Sequence, residues 1–138
     1  MKVFVDTNIF IDILLNRKDF IDESKQVYKL CENYIVKGYV APISINNIYY
    51  ICRKTVNQEE LTSFLCDISQ FFTIAPMNSD SVIFAKNLNI SDFEDALQSA
   101  MAIQSGCDCI VTRNEDDYKK VLGIEILSPN AFLSRFKQ

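Results

Sequence analysis

Short apolar runs alternate with longer stretches of helical periodicity along this chain. The short runs, rich in Val, Ile and Phe, predict strands at residues 2–5, 39–41, 71–75, 109–112 and 125–127. The longer stretches predict helices at 8–15, 20–37, 44–54, 58–70, 79–87, 91–105 and 128–136. Strands separated by helices need crossover connections. The alternation therefore predicts an α/β fold, with a central parallel sheet of about four or five strands flanked by helices on both sides.

Local signals predict where some of these helices begin and end. Gly38 and Gly106 are placed to end the helices that precede them, because glycine readily adopts the positive φ found at such ends. Ser91 and Glu94 have capping-box spacing, which predicts a helix start. No stretch resembles a linker and the length suits one domain, so we expect a single domain over residues 1–138.

The composition excludes several kinds of chemistry. The chain has no histidine, which excludes Ser-His-Asp and Cys-His catalysis and any His-ligated zinc site. It has five cysteines, an odd number, and the Cys107–Cys109 pair has no second pair to complete a zinc site. Asp6 interrupts the first apolar run well before the length that a signal peptide or a membrane helix needs. We therefore expect a cytoplasmic protein with reduced cysteines and no membrane partner.

The charge balance limits how the chain could bind nucleic acid. The formal net charge is −4 and the sequence pI is about 4.8, whereas binding by counterion release favours a basic protein. Either nucleic acid is not a partner, or the acidity is concentrated in a metal site and local cations meet the phosphates. The candidate cations are Arg17, Lys18, Arg53, Lys54 and Arg113, for which ordinary solvated surface is the alternative.

Carboxylates follow the predicted strands or begin a helix at three separate places. Asp6 directly follows the first strand, Asp116 and Asp117 come after the strand at 109–112, and Asp92 and Asp95 share the first turn of a helix. Sites in parallel sheets lie at the carboxyl ends of strands. Each acid alone could be a turn or cap residue. Together they predict a site for Mg²⁺ or Mn²⁺, because a divalent cation relieves the repulsion between packed carboxylates.

Four segments resemble, in order, the motifs of the PIN-domain family, and the length resembles its free-standing VapC toxin type. They are MKVFVDTNIF (1–10), APISINNIYYICRK (41–54), SDFEDALQSAMA (91–102) and DCIVTRNEDDY (108–118). The resemblance implies that Asp6, Asp95 and Asp117 are catalytic metal ligands, with Asp92 and Asp116 as neighbouring acids. It also implies supporting roles: Thr7 and Asn8 would brace Asp6, and Thr112 or Asn114 would hold a carboxylate or a water. Asn47 (or Asn46) stands where the family has an acid, which predicts weakened Mg²⁺ binding.

The resemblance implies a metal-dependent endoribonuclease that uses Mg²⁺ or Mn²⁺, acts on RNA and is neutralised by a cognate antitoxin. The alternative is a weakened or inactive PIN-like module that binds RNA or protein. Asn47 in place of the usual acid would be the sign of its lost activity. The run from Ile9 to Leu15 holds more apolar side chains than one face of a short helix needs. This excess predicts a homodimer or an antitoxin interface at the N-terminal helix.

Overall fold

The computed structural model describes residues 1–137, which form five strands and eight helices. The strands are β1 (Lys2–Val5), β2 (Lys37–Val40), β3 (Phe72–Ile74), β4 (Cys109–Val111) and β5 (Glu125–Leu127). The helices are α1 (Thr7–Leu14), α2 (Ile21–Glu32), α3 (Pro42–Cys52), α4 (Gln58–Phe71), α5 (Ser79–Lys86), α6 (Phe93–Gln104), α7 (Glu115–Tyr118) and α8 (Pro129–Ser134).

The strands form one sheet in the order β3-β2-β1-β4-β5, and every neighbouring pair is parallel. This confirms the predicted α/β class and the parallel sheet, which has five strands where about four or five were predicted. The chain first builds outward from β1 to β3 and then crosses back to place β4 on the other side of β1. The carboxyl ends of β1 and β4 therefore meet at the point where the strand order reverses, where α/β folds usually form their ligand sites.

Both faces of the sheet are covered by helices, because alternate residues of a strand point to opposite faces. Val3 and Val5 belong to a hydrophobic cluster that includes residues of α1, α2, α3, α4 and α8. Phe4 lies in the other cluster, with residues of α5, α6 and α7. β1 is buried on both sides, so it holds the residue that follows it in a fixed position.

The prediction that a helix over 20–37 is ended by Gly38 is wrong. Helix α2 ends at Glu32, and the turn that follows contains Tyr34 at a φ of 56°. Gly38 lies inside β2 and is buried. A Cβ there would come within 2.6 Å of Phe72 Cδ2 and 2.8 Å of Cys31 Sγ. Close approach of β3 and α2, and not helix termination, is why glycine occupies this position.

Other helix ends differ less from the prediction. Gly106 follows α6 at a φ of 72°, as expected for a residue that ends a helix. Asp92, rather than Ser91, caps the start of α6, since its carboxylate accepts a hydrogen bond from the Asp95 N–H at 3.0 Å. The short helix α7 was not predicted. Its four residues show no periodicity that could have signalled it.

Most apolar side chains of α1 pack into or against the hydrophobic core. Ile9, Phe10 and Ile11 are buried, and Ile13 and Leu14 are half-buried. Core packing thus accounts for much of the apolar excess that predicted an interface on this helix, and the homodimer stays a prediction. Four of the five free cysteines are buried, and Cys66 is exposed. Within residues 1–137, no helix is both long enough and apolar enough to cross a bilayer.

Candidate functional site

Asp6 is fixed at the centre of the strand ends. It caps α1: its Oδ1 accepts a hydrogen bond from the Thr7 N–H at 2.7 Å. Its Oδ2 accepts one from Thr112 Oγ1 at 2.7 Å, across from the end of β4. The residue is only 4% exposed, and this burial raises the pKa of its carboxyl group. The side chain of Thr7 bonds to Ser44 rather than to Asp6, so Thr7 braces the acid through its backbone.

Asp95 lies in the first turn of α6 and faces the same region. Its Oδ1 accepts a hydrogen bond from the hydroxyl of Tyr118 at 3.2 Å. Burial, together with the charges of Asp92 and Asp6, raises the pKa of Asp95 to about 7. The charge of Asp6 therefore acts on Asp95, so the acid after β1 and the acid of α6 share one electrostatic environment.

A cavity of about 190 Å³ lies between these elements. Its polar lining comes from β1, α1, α3, α6 and the segment after β4: Asp6, Thr7, Asn8, Asn47, Asp92, Glu94, Asp95, Gln98 and Asn114. The structure therefore brings together most of the predicted site residues. Asn46 is exposed and does not line the cavity, which favours Asn47 as the residue at the position of the second motif.

Two residues that were not predicted also line this cavity. Glu94 Oε1 accepts a hydrogen bond from Asn47 Nδ2 at 2.9 Å, and burial raises the pKa of Glu94. Gln98 is buried, and its Oε1 is the one buried side-chain polar atom without a hydrogen-bond partner in residues 1–137. Gln98 follows Asp95 by three positions, a spacing that could have revealed it. The sequence pattern had indicated only a capping role for Glu94 at the start of this helix.

Asp116 and Asp117 lie on α7 and are exposed. Neither lines the cavity, although the charge of Asp117 contributes to the raised pKa of Asp95. The segment before them is tied to the site, because the Asn114 N–H donates to Thr112 Oγ1 at 3.0 Å. Helix α7 also supplies Tyr118, whose hydroxyl holds Asp95.

Two of the predicted cations are bound within the protein. Arg113 forms a two-point ion pair with the fully buried Asp12, with Nε at 2.7 Å from Oδ2 and Nη2 at 3.0 Å from Oδ1. Arg17 and Ser24 contact the same carboxylate. The guanidinium of Arg113 also stacks on Phe20 at 3.9 Å. Arg113 therefore links the segment after β4 to α1. This structural role accounts for the arginine without any contact to a substrate phosphate.

The other predicted cations are exposed. Arg53 stacks on the ring of Tyr50 at 3.9 Å, and Tyr50 itself is 64% exposed. Lys18 and Lys54 lie on the surface. These groups are accessible to a polyanion, as a nucleic-acid contact requires.

The cavity suits a hard divalent cation by the nature of its donors. Its polar lining offers carboxylate, amide and hydroxyl oxygens, and the buried Gln98 Oε1 lacks a partner. Within the described residues, no three Asp, Glu or Cys side chains are already gathered closely enough to hold a metal by themselves. The acids Asp6, Asp92, Glu94 and Asp95 instead lie around the cavity.

The sequence of this chain is similar to the sequences of known proteins. A sequence model described as PIN domain matches residues 2–116. Ribonuclease VapC1 from Aquifex aeolicus (strain VF5) is 26% identical over 140 residues, covering 98% of this chain and 95% of that protein.

Two solved structures share the fold. The structure of VapBC2 from Rickettsia felis bound to a DNA fragment from their promoter aligns with a TM-score of 0.70 at 18% identity, covering 93% of this chain and 98% of that one. A toxin–antitoxin complex from Klebsiella pneumoniae also gives a TM-score of 0.70, at 20% identity, covering 92% and 97%. At these identities the likeness concerns the fold.

Proposed function

Since this chain belongs to the PIN-domain family, we propose that it is a metal-dependent endoribonuclease of the VapC toxin type. The observation that carries the proposal is the oxygen-lined cavity at the ends of β1 and β4, where Asp6 and Asp95 meet. The relative named Ribonuclease VapC1 supports the same activity. No histidine is needed for such chemistry, and the chain has none.

The residues of the cavity orient the acids. Thr112 and the Thr7 N–H fix the Asp6 carboxylate, with one hydrogen bond to each of its oxygens. Tyr118 fixes Asp95 in the same way. Asp117, with Asp116 as its neighbour, is the exposed acid that completes the proposed ligand set.

Mg²⁺ or Mn²⁺ held by Asp6, Asp95 and Asp117 would supply the Lewis acidity that promotes attack of water on an RNA phosphodiester and stabilises the leaving oxygen. The chain's own part is to hold the ion and the scissile phosphate beside each other. Exposed Lys18, Arg53 and Lys54 would attract the flanking phosphates.

A nuclease assay tests this function. The purified protein is incubated with mixed RNAs in Mg²⁺, in Mn²⁺ and in EDTA. We expect cleavage with either ion and none in EDTA. Asp6→Asn should abolish cleavage, whereas Asp67→Asn, an exposed acid of α4, should not change it. Cleavage that persists in EDTA or in Asp6→Asn would refute the proposal.

We propose an antitoxin as the protein partner. One structural neighbour is described as a toxin–antitoxin complex, and the other as VapBC2 bound to a DNA fragment from their promoter. Exposed apolar side chains lie on the helices that line the cavity: Ile51, which lines it, and Tyr50 are on α3, and Phe93 is on α6. A partner that covered these side chains would also block the cavity. Co-expression with the product of a neighbouring small gene, followed by co-purification, tests the pairing.

A catalytically silent PIN-like module remains the second candidate, because Asn47 replaces an acid of the family motif. Such a module would bind RNA or protein without cleaving. RNA binding in EDTA together with no cleavage in Mg²⁺ or Mn²⁺ would favour it over the nuclease.

A further inference from the structure

The contact between Asn47 and Glu94 joins two of the helices that line the cavity. Asn47 is on α3 and Glu94 is in the first turn of α6, and the Nδ2–Oε1 distance is 2.9 Å. Both side chains are half-buried, and both line the cavity with Asp6. An amide that donates to a carboxylate fixes its position without neutralising its charge.

The pair carries one negative charge where the resemblance places an acid on α3. An acid at position 47 would face the Glu94 carboxylate at hydrogen-bond distance, and two such charges repel. Asparagine at 47 removes that repulsion and supplies a donor. The negative charge is thus on α6 instead of α3, beside the same cavity.

Gln98 provides an independent observation at the same place. It lies one turn after Glu94 on α6, on the same helix face, and it lines the cavity. Its Oε1 is buried and accepts no hydrogen bond within residues 1–137. A buried acceptor of this kind usually has a partner, such as a cation or a water.

From this arrangement we propose that Glu94, held by Asn47, takes the place of the missing α3 acid as a carboxylate directed at a divalent cation, with Gln98 Oε1 as a neutral oxygen beside it. The inference rests on the proposed nuclease function, because it concerns the same cavity. It assigns to Glu94 a metal-binding role, which its capping-box spacing did not indicate.

The experiment is a calorimetric titration of Mn²⁺ into the purified protein. Removing one carboxylate charge with Glu94→Gln should weaken Mn²⁺ binding by about tenfold or more, since each carboxylate attracts a divalent ion strongly even near a protein surface. Glu59→Gln, an exposed acid at the start of α4, should leave the affinity within about twofold of wild type, because an exposed distant charge is screened.

A charge-exchange variant separates metal binding from general damage. In Asn47→Asp with Glu94→Gln, the donor and the acceptor change places, so the hydrogen bond and the net charge are kept. We expect this double variant to recover most of the affinity lost in Glu94→Gln. Thermal unfolding in EDTA checks that all variants are folded.

Glu94→Gln with wild-type affinity would overturn the inference, as would a double variant no tighter than Glu94→Gln, or a wild type that does not bind Mn²⁺. The nuclease function is decided separately by RNA cleavage. Wild type that cleaves RNA while Glu94→Gln keeps full Mn²⁺ affinity refutes only the role of Glu94. Wild type whose Mn²⁺ binding depends on Glu94 but which cleaves no RNA refutes only the function.

Discussion

The carboxyl group of Asp95 is strongly affected by its surroundings. Burial and the charges of Asp92 and Asp6 raise its pKa to about 7, and only the Tyr118 hydroxyl acts in the opposite direction. Near neutral pH, without a cation, the site therefore holds a carboxyl group that is partly protonated. Bound cations favour the ionised form, so metal binding should release protons.

The raised pKa predicts how stability depends on pH. Folded Asp95 binds a proton more tightly than the unfolded chain does, so its contribution to stability is complete below about pH 4 and is lost as the pH rises through about 7. Asp95→Asn removes this loss. In EDTA, we expect the variant to gain stability relative to wild type as the pH rises from about 4 to 8.

Chemical unfolding of both proteins across this pH range provides the measurement. Asp67→Asn serves as the control, because Asp67 is an exposed acid of α4, and its difference from wild type should change little with pH. A constant difference between Asp95→Asn and wild type at every pH would show that Asp95 has an ordinary pKa.

At the scale of elements, the segment after β4 is held by Arg113. Its guanidinium is bound to the buried Asp12 of α1, so the position of Thr112 beside Asp6 depends on contact between two distant elements. Breaking a buried ion pair from one side leaves a charge without its partner.

We predict that Arg113→Met lowers the free energy of unfolding by about 3 kcal/mol, because Asp12 stays buried without its main counter-charge. Urea unfolding measures the change. Arg53→Met, which removes an exposed arginine, should cost less than about 1 kcal/mol. If Arg113→Met unfolded like wild type but bound RNA more weakly, Arg113 would be a substrate contact instead.

The packing of β2 gives a second prediction at this scale. Gly38→Ala should destabilise the fold by about 1–3 kcal/mol, because the new methyl group would overlap Phe72 and Cys31. Combining it with Phe72→Leu makes room, so the two changes together should cost less than the sum of their separate costs. Additive costs in urea unfolding would show that Phe72 is not what excludes a side chain at position 38.

The sequence predicts elements better than it predicts contacts between them. Periodicity is local, so the five strands and the class of fold were predictable, as was the helix that carries Asp95. The role of Gly38 was not, because it depends on Phe72, far along the chain. Glu94 was missed for a similar reason, since its contact with Asn47 spans 47 positions.

At the scale of the whole molecule, the net charge of −4 limits non-specific attraction to RNA. Of the predicted cations, Lys18, Arg53 and Lys54 are exposed, whereas Arg17 and Arg113 are engaged by Asp12. Binding should therefore release few counterions.

We predict that the affinity for single-stranded RNA, measured in EDTA to prevent cleavage, falls with salt on a log–log slope of about −2, as expected for about three phosphate contacts. Lys54→Gln should reduce the steepness by about 0.7, because it removes one of those contacts. Lys86→Gln, on α5, is the control. A slope steeper than about −4 would require cations beyond these three.

The strand order also governs when the site can exist. β1 is made first, yet it pairs with β4, and Asp6 receives its bond from Thr112, 106 positions later. A growing chain that ends before residue 109 has neither β4, Thr112 nor Tyr118. Premature termination of translation therefore yields a fragment in which Asp6 lacks these neighbours. The cell that makes this protein therefore encounters the assembled centre only after residues 109–118 have been synthesised.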